Sequence, residues 1–184
     1  MMVDIQVLGA EVATDIVQQL ANLPHLFNEP HWTQLQLQKA CEGPEQVLGL
    51  FVKRDIVGYM VAAQALDQAD IHTLFIATNW RGQGLAKVLL QAMLHRLKQQ
   101  AVTQVFLEVR QGNQVAQNLY QDYGFAVTGE RVNYYTKLMA VEKTQYLCQP
   151  TCKQAIFSIT LSKRLQRTLP GSTASQHFWP CGVP

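Results

Sequence analysis

Charge is scarce in this chain: Asp, Glu, Lys and Arg make up 15% of its 184 residues, and the formal net charge is +2. Binding to nucleic acid calls for a concentrated basic face, which this balance does not supply. No apolar run approaches the length of a membrane span, and "MMVDIQVLGAEVATD" carries no basic leader. No membrane segment and a cytoplasmic location are therefore expected. Cysteine is sparse as well, with Cys41, Cys148, Cys152 and Cys181 alone. The close pair in "CQPTC" lacks a second pair or histidines at ligand spacing, so free thiols are expected and no metal site. His25, His31, His72, His95 and His177 show no ligand or triad spacing. What is present is an ordinary interior: 48% of residues are hydrophobic. That suffices for one substantial core and excludes wholesale disorder.

Residues 2–8 read as a strand, and Val12, Ile16, Leu20 and Leu23 then recur at helical spacing up to Pro24. Asn28 with Glu29-Pro30 offers the start of a second helix, which ends near Gly43-Pro44. "QVLGLFV" and "IVGYMVAAQAL" form a hairpin across Lys53-Arg54-Asp55, and residues 70–77 a fourth strand. After Gly84, Leu85, Val88, Leu89, Ala92 and Met93 fall on one helical face. "QVFLEVR" is a fifth strand, followed by a helix from about Asn113 to Tyr123 that Gly124 can cap in the left-handed conformation. "FAVTGERVNYY" and "QAIFSITLS" complete the sheet, with 137–153 unassigned between them. The order is βααβββαβαββ. It predicts an α/β (α+β) domain over 1–167, with helices on both faces of a mixed sheet. The Pro-, Gly- and Ser-rich 168–184 is expected to be a flexible tail.

"NWRGQGLAKVLL" places Gly82 and Gly84 between a strand and an amphipathic helix. Glycines let backbone amides approach a ligand, and a helix start adds unpaired N–H groups with a positive dipole end. Together they suit phosphate or pyrophosphate, and Arg81 and Lys87 add positive charge. The plain alternative is a tight strand-to-helix turn. A dinucleotide-binding fingerprint fits less well, because Lys87 holds the third glycine position and no repeated βαβ half is visible.

Arg81-Gly82-Gln83-Gly84-Leu85-Ala86 resembles the Q/R-x-x-G-x-G/A signature of the GCN5-related N-acetyltransferases (GNAT). "LEVR", Asn113, "LYQDYGF" and "RVNYY" resemble the ribosomal-protein alanine N-acetyltransferase (RimI) group of that family. The resemblance is strong over about 70–135 and poor after 136. It implies a mixed, mostly antiparallel central sheet of about seven strands flanked by about four helices. It also implies that Arg81 to Ala86 hold the pyrophosphate of acetyl-CoA, with CoA as product. Leu74, Phe75 and Ile76 would pair with pantetheine, and the Ile76 amide would face the thioester carbonyl. Tyr134 and Tyr135 could line the acceptor groove, or be an ordinary aromatic pair in a sheet.

The residue chemistry stands beside that resemblance. Phe106, Glu108 and Arg110 share one face of their strand, so Glu108 points away from Val105, Leu107 and Val109. An amine must lose a proton before attacking a thioester, and a carboxylate at the sheet's mouth can take it, directly or through water. The alternative is a surface or salt-bridged glutamate. Asn113 can be both helix N-cap and cofactor contact, and Tyr120, seven residues on, can serve as acid to the departing thiolate. The alternative for Tyr120 is a core tyrosine. The expected activity is direct acetyl transfer in a ternary complex to an amine. A protein N-terminus is the favoured acceptor, a ribosomal protein being one candidate. Lysine or small amines as acceptors, a non-catalytic acyl-CoA-binding module and the oligomeric state remain open.

Overall fold

The computed structural model describes residues 2–131 and 154–161, apart from positions 13, 27, 28 and 30. Its strands are β1 (Val3–Leu8), β2 (Gln46–Val52), β3 (Asp55–Ala65), β4 (Gln68–Ile76), β5 (Gln104–Arg110), β6 (Ala126–Arg131) and β7 (Gln154–Thr160). Its helices are α1 (Thr14–Ala21), α2 (Gln34–Glu42), α3 (Leu85–Gln99) and α4 (Gln114–Asp122). The strands form one seven-stranded sheet in the order β1-β2-β3-β4-β5-β7-β6. Every pairing is antiparallel except β4–β5, which α3 bridges as a crossover. A parallel neighbour cannot be reached by a tight hairpin, so a helix must intervene there. One parallel pair in seven strands also excludes a dinucleotide-binding doubly wound sheet.

Alternation of the strand residues divides the interior into two cores. Val105, Leu107 and Val109 of β5 join Leu85, Leu89, Leu90, Met93, Leu94 and Leu97 of α3 and Tyr120 of α4 on one face. On the other face, Val17 and Leu20 of α1 and Leu37 of α2 pack on Val47, Tyr59, Val61 and Phe75. The buried stripe of α3 is turned from the one its periodicity suggests. Val88 is 41% exposed, while Leu90, Leu94 and Leu97 go inside. Two adjacent i, i+4 rows, 85-89-93-97 and 90-94, together make a broader apolar face than the row containing Val88. Each such leucine contributes ~2 kcal/mol on burial.

The second helix begins later than Asn28-Glu29-Pro30 suggests. Thr33 is its N-cap, and a capping box joins Thr33 and Gln36. Two backbone donors are satisfied reciprocally there, which fixes the start without help from proline.

The end of α4 matters more for the site. Gly124 has φ +85°. The Phe125 N–H donates to the Tyr120 carbonyl at 3.1 Å, and the Gly124 N–H to that of Gln121 at 2.9 Å. This is the Schellman arrangement, in which the residue after the glycine packs on the one opening the last turn. Here that contact is Phe125 against Tyr120, edge to face with centroids 5.6 Å apart. Gly124→Ala should cost about 1–2 kcal/mol by forcing a Cβ into the left-handed region. Thermal unfolding should show a midpoint lowered by about 2–4 °C per kcal/mol. An unchanged midpoint would mean that the helix end relaxes freely.

Candidate active site

A parting in the sheet creates the site. β4 and β5 pair from Gln68↔Gln104 to Ile71↔Leu107, and no further. Yet β4 runs on to Ile76 against β3, and β5 runs on to Arg110 against β7. The cause is local. Ala62 of β3 pairs with Ile71 and Val61 with Thr73, so His72 is an extra residue in β4. Such a bulge bends its strand and raises the local twist, and it falls where the two strands separate. The result is a cleft that opens over about four strand steps, ~13 Å, towards the end of β4.

Backbone direction decides which groups face that cleft. The Ala77 N–H donates to the Val57 carbonyl at 2.9 Å, so residue 77 is turned towards β3. Peptide groups alternate sides along a strand, so Ile76 and Leu74 face the cleft, while Phe75 faces β3. Consistently, the Ile76 carbonyl accepts from Arg81 Nε at 2.8 Å. Of the three residues expected along the cofactor arm, Phe75 thus commits its backbone to the sheet. Its side chain is buried towards α1 and α2.

The glycine turn follows directly. After a short 3₁₀ turn at Thr78–Trp80, Gly82 and Gly84 adopt φ +75° and +77°. A Cβ at either would meet nothing within 4 Å. The turn is therefore open space next to its backbone, not a packing necessity. The N–H groups of Gly82, Gln83, Gly84, Leu85 and Ala86 have no backbone acceptor among the described residues. Several unpaired donors at the positive end of a 15-residue helix form a ready anion site.

The two cations beside this turn are otherwise engaged. Arg81 Nη2 donates to Glu29 Oε2 at 2.7 Å, and its guanidinium lies 5.6 Å from the Phe75 ring centre. Lys87 Nζ pairs with Asp122 Oδ2 at 3.1 Å, and the Lys87 carbonyl accepts from the Tyr123 hydroxyl at 3.1 Å. These contacts tie the first turn of α3 to the end of α4.

Glu108 is exposed on the face opposite α3 and α4. Among the described residues, α1 and α2 pack on β2 and β3. Glu108 pairs in register with Ile156 of β7 and stands one residue beyond the last β4–β5 pair. Asn113 caps α4, its Oδ1 accepting from the Ala116 N–H at 3.1 Å. That bond uses the side-chain oxygen alone, and the Nδ2 group keeps its two donors. Tyr120 is 6% exposed, against Phe125 and Phe157. Burial pushes its phenol up to about 12, so it stays protonated throughout the working range. Tyr134 and Tyr135 lie outside the described residues, as do Cys148, Cys152, Cys181 and the expected tail. Cys41 is buried, and no group of potential metal ligands occurs among the described residues. No helix among them is long and apolar enough to cross a membrane.

Sequence periodicity misses the segment between α1 and α2. His31 packs its edge on Phe75, 4.7 Å between centroids, and stacks on His25 at 4.5 Å. Its Nε2 lies 2.7 Å from the Ala21 carbonyl and so carries the proton. Trp32 reaches the ring of His72 at 6.2 Å. The only hint in the sequence is an aromatic and histidine density, "HLFNEPHW", too rich for a bare connection.

Burial lowers the pKa of His31, and His25 lowers it further, against raising contributions from the Ala21 carbonyl and Glu29. Its buried Nδ1 has no hydrogen-bond partner among the described residues. The folded state thus binds this proton less readily than the unfolded chain does. Stability should fall as pH drops through the unfolded value of 6.5 and level off below the folded one. His31→Gln keeps a donor for Ala21 but cannot titrate, so its melting temperature should depend less on pH between about 7.5 and 5.5. Parallel curves for the two proteins would show that His31 does not titrate differently in the fold.

The comparisons with known proteins agree with this geometry. The acetyltransferase (GNAT) family model matches residues 15–125. A [ribosomal protein bS18]-alanine N-acetyltransferase of Haemophilus ducreyi is 36% identical over 81 residues, 44% of this chain and 56% of the relative. The chain thus spans little more than half the length of that curated relative. The ribosomal-protein-S18-alanine N-acetyltransferase structure from Escherichia coli superposes with a TM-score of 0.72 at 18% identity, covering 91% of this chain and 99% of that one. A GNAT family acetyltransferase from Elizabethkingia anophelis with acetyl-CoA bound gives 0.67 at 18% identity, covering 86% and 98%. At such identities the structural likeness concerns the fold, whereas the family model covers well over half of the chain, from α1 through α4 to Phe125. With the parted β4–β5 pair and the glycine turn, this establishes that the chain belongs to the GNAT acetyltransferase family.

Proposed function

We propose that the protein is an acetyl-CoA-dependent N-acetyltransferase that transfers the acetyl group directly to the α-amino group of a protein N-terminus. The single observation that carries the reading is the row of backbone N–H groups at residues 82–86, unpaired among the described residues, next to the stretch of β4 that β5 leaves. An anionic head with an amide-bearing arm fits both at once. Gly82 to Ala86 hold the pyrophosphate through their backbone, and Arg81 contributes its charge and frame. Leu74 and Ile76 pair with the pantetheine amides, with Phe75 as the buried anchor between them. The Ile76 N–H polarises the thioester carbonyl, a contribution of ~3 kcal/mol for an oxyanion donor. Glu108 takes the proton from the incoming amine, directly or through one water. Tyr120 offers its proton to the departing sulfur, and Asn113 starts the helix that holds it. Tyr134 and Tyr135 belong to the acceptor side.

The choice of acceptor follows the named relatives, which act on the alanine terminus of a ribosomal protein, and it has a chemical basis. An α-amine titrates near 7.7–8.0 and a lysine near 10.4, so a mild base suffices at neutral pH. A soluble enzyme at work in the cytoplasm on such a protein would fit this acceptor. A screen of peptide N-termini, lysine peptides and polyamines, read by thiol release, tests the assignment. Preference for lysine or polyamine would move the acceptor class. Binding of acetyl-CoA without thiol release would leave a cofactor-binding module.

The domain is proposed to end by residue 167. A protein lacking 170–184 should fold and bind acetyl-CoA as the whole chain does. Loss of cofactor binding on truncation would place the "HFWP" segment in the domain instead.

A further inference from the structure

We propose that Glu29 is a positioning residue for the acceptor: clasped by Arg81 of the glycine turn, it holds the α1–α2 connection as one wall of the acceptor entrance. The proposal rests on the acyl-transfer reading above and deepens it. The clasp is a continuous chain of contacts. Arg81 Nε anchors on the Ile76 carbonyl at 2.8 Å, and its Nη2 donates to Glu29 Oε2 at 2.7 Å. The same oxygen accepts from the Leu26 N–H at 3.2 Å. His31 then rests on Phe75, and the Trp32 N–H donates to the Tyr59 hydroxyl at 3.4 Å. That leaves the indole of Trp32 over His72, the extra residue at which β4 leaves β5.

The direction of approach makes this wall matter. The α3–α4 side of the sheet is filled by core, so an amine must reach Glu108 from the opposite side. Trp32 and His72 stand on that side, since Trp32 packs against the α1–α2 core. Both side chains of the clasp are about one-third exposed, at 33% and 28%. A pair so accessible to water adds little to stability. Its effect is to hold one geometry.

The charges give a test with opposite signs. Glu29 places an anion beside the turn proposed to hold pyrophosphate, so its removal should not weaken acetyl-CoA. Glu29→Ala should leave acetyl-CoA affinity unchanged or tighter in calorimetry, while KM for an acceptor peptide rises about fivefold, the equivalent of one modest ion pair. General damage to the fold would weaken both. Because the two side chains act as one device, adding Arg81→Ala to Glu29→Ala should raise the acceptor KM no further than the worse single variant does. A folded, active Glu29→Ala with the parent acceptor KM overturns the proposal, as does additive worsening in the double variant. A parent protein that binds acetyl-CoA but acetylates no amine overturns the function reading first, and this proposal with it.

Discussion

Gly84→Val should reduce acetyl-CoA affinity at least ~100-fold in calorimetry. The figure corresponds to losing two hydrogen bonds to a charged group at ~1.5 kcal/mol each. Two effects act together at this position. The backbone sits at φ +77°, where a β-branched residue is strained, and the space a Cβ would enter is the space a pyrophosphate would need. Strain alone would lower the melting temperature of the free protein. Obstruction alone would remove the rise in melting temperature that ligand gives, since binding to the folded state stabilises it with increasing concentration. Gly84→Ala separates them, because it carries most of the φ penalty with less bulk. A well-folded Gly84→Val that keeps the parent affinity would remove the pyrophosphate from this turn.

The element order and the two-faced layering could be read from the sequence because short-range patterns dictated them. β5 alternates from Gln104 to Arg110 apart from Phe106, and its burial alternates throughout. Gly124 announced a left-handed cap, and the cap is there at φ +85°. The parting of β4 from β5 could not be read. It depends on a bulge at His72, which exists only relative to the register of β3. Periodicity within "DIHTLFIA" carries no record of a neighbouring strand. Arg81 illustrates the same limit. Its position beside the glycines suggested a phosphate ligand, but its guanidinium is turned to Ile76 and Glu29, the latter 52 residues earlier in the chain. Long-range partners of a flexible cation are not encoded in local spacing. The stripe of α3 was misplaced by one row for a related reason. Val88 is as apolar as Leu90, and only the surrounding sheet decides which of them is covered.

Glu108→Gln and Tyr120→Phe should each lower turnover by ~100- to 10,000-fold, the usual range for positioned acid–base groups. In Glu108→Gln the new amide would keep the size of the carboxylate but could not accept the amine proton. The deficit of that variant should be greatest at low pH, where an α-amine of pKa near 7.7–8.0 is mostly protonated and needs a base. Tyr120→Phe should lower turnover with acetyl-CoA affinity nearly unchanged, which marks lost chemistry and not lost binding. With its phenol pushed up to about 12, Tyr120 is a weaker acid than a thiol at about 8.5. It therefore acts by holding a hydrogen bond on the sulfur as negative charge develops there, with little net proton transfer. The same upward shift keeps Tyr120 largely protonated near pH ~10, so a loss of rate there belongs to another group. The ring removed from its hydroxyl still packs on Phe125 and Phe157, so Tyr120→Phe should fold, and its melting temperature checks that. If both variants fold and turn over like the parent across pH, with product release shown not to limit the rate, neither side chain carries the chemistry. The amine proton would then leave through water in the cleft, and the leaving thiolate would be met by solvent.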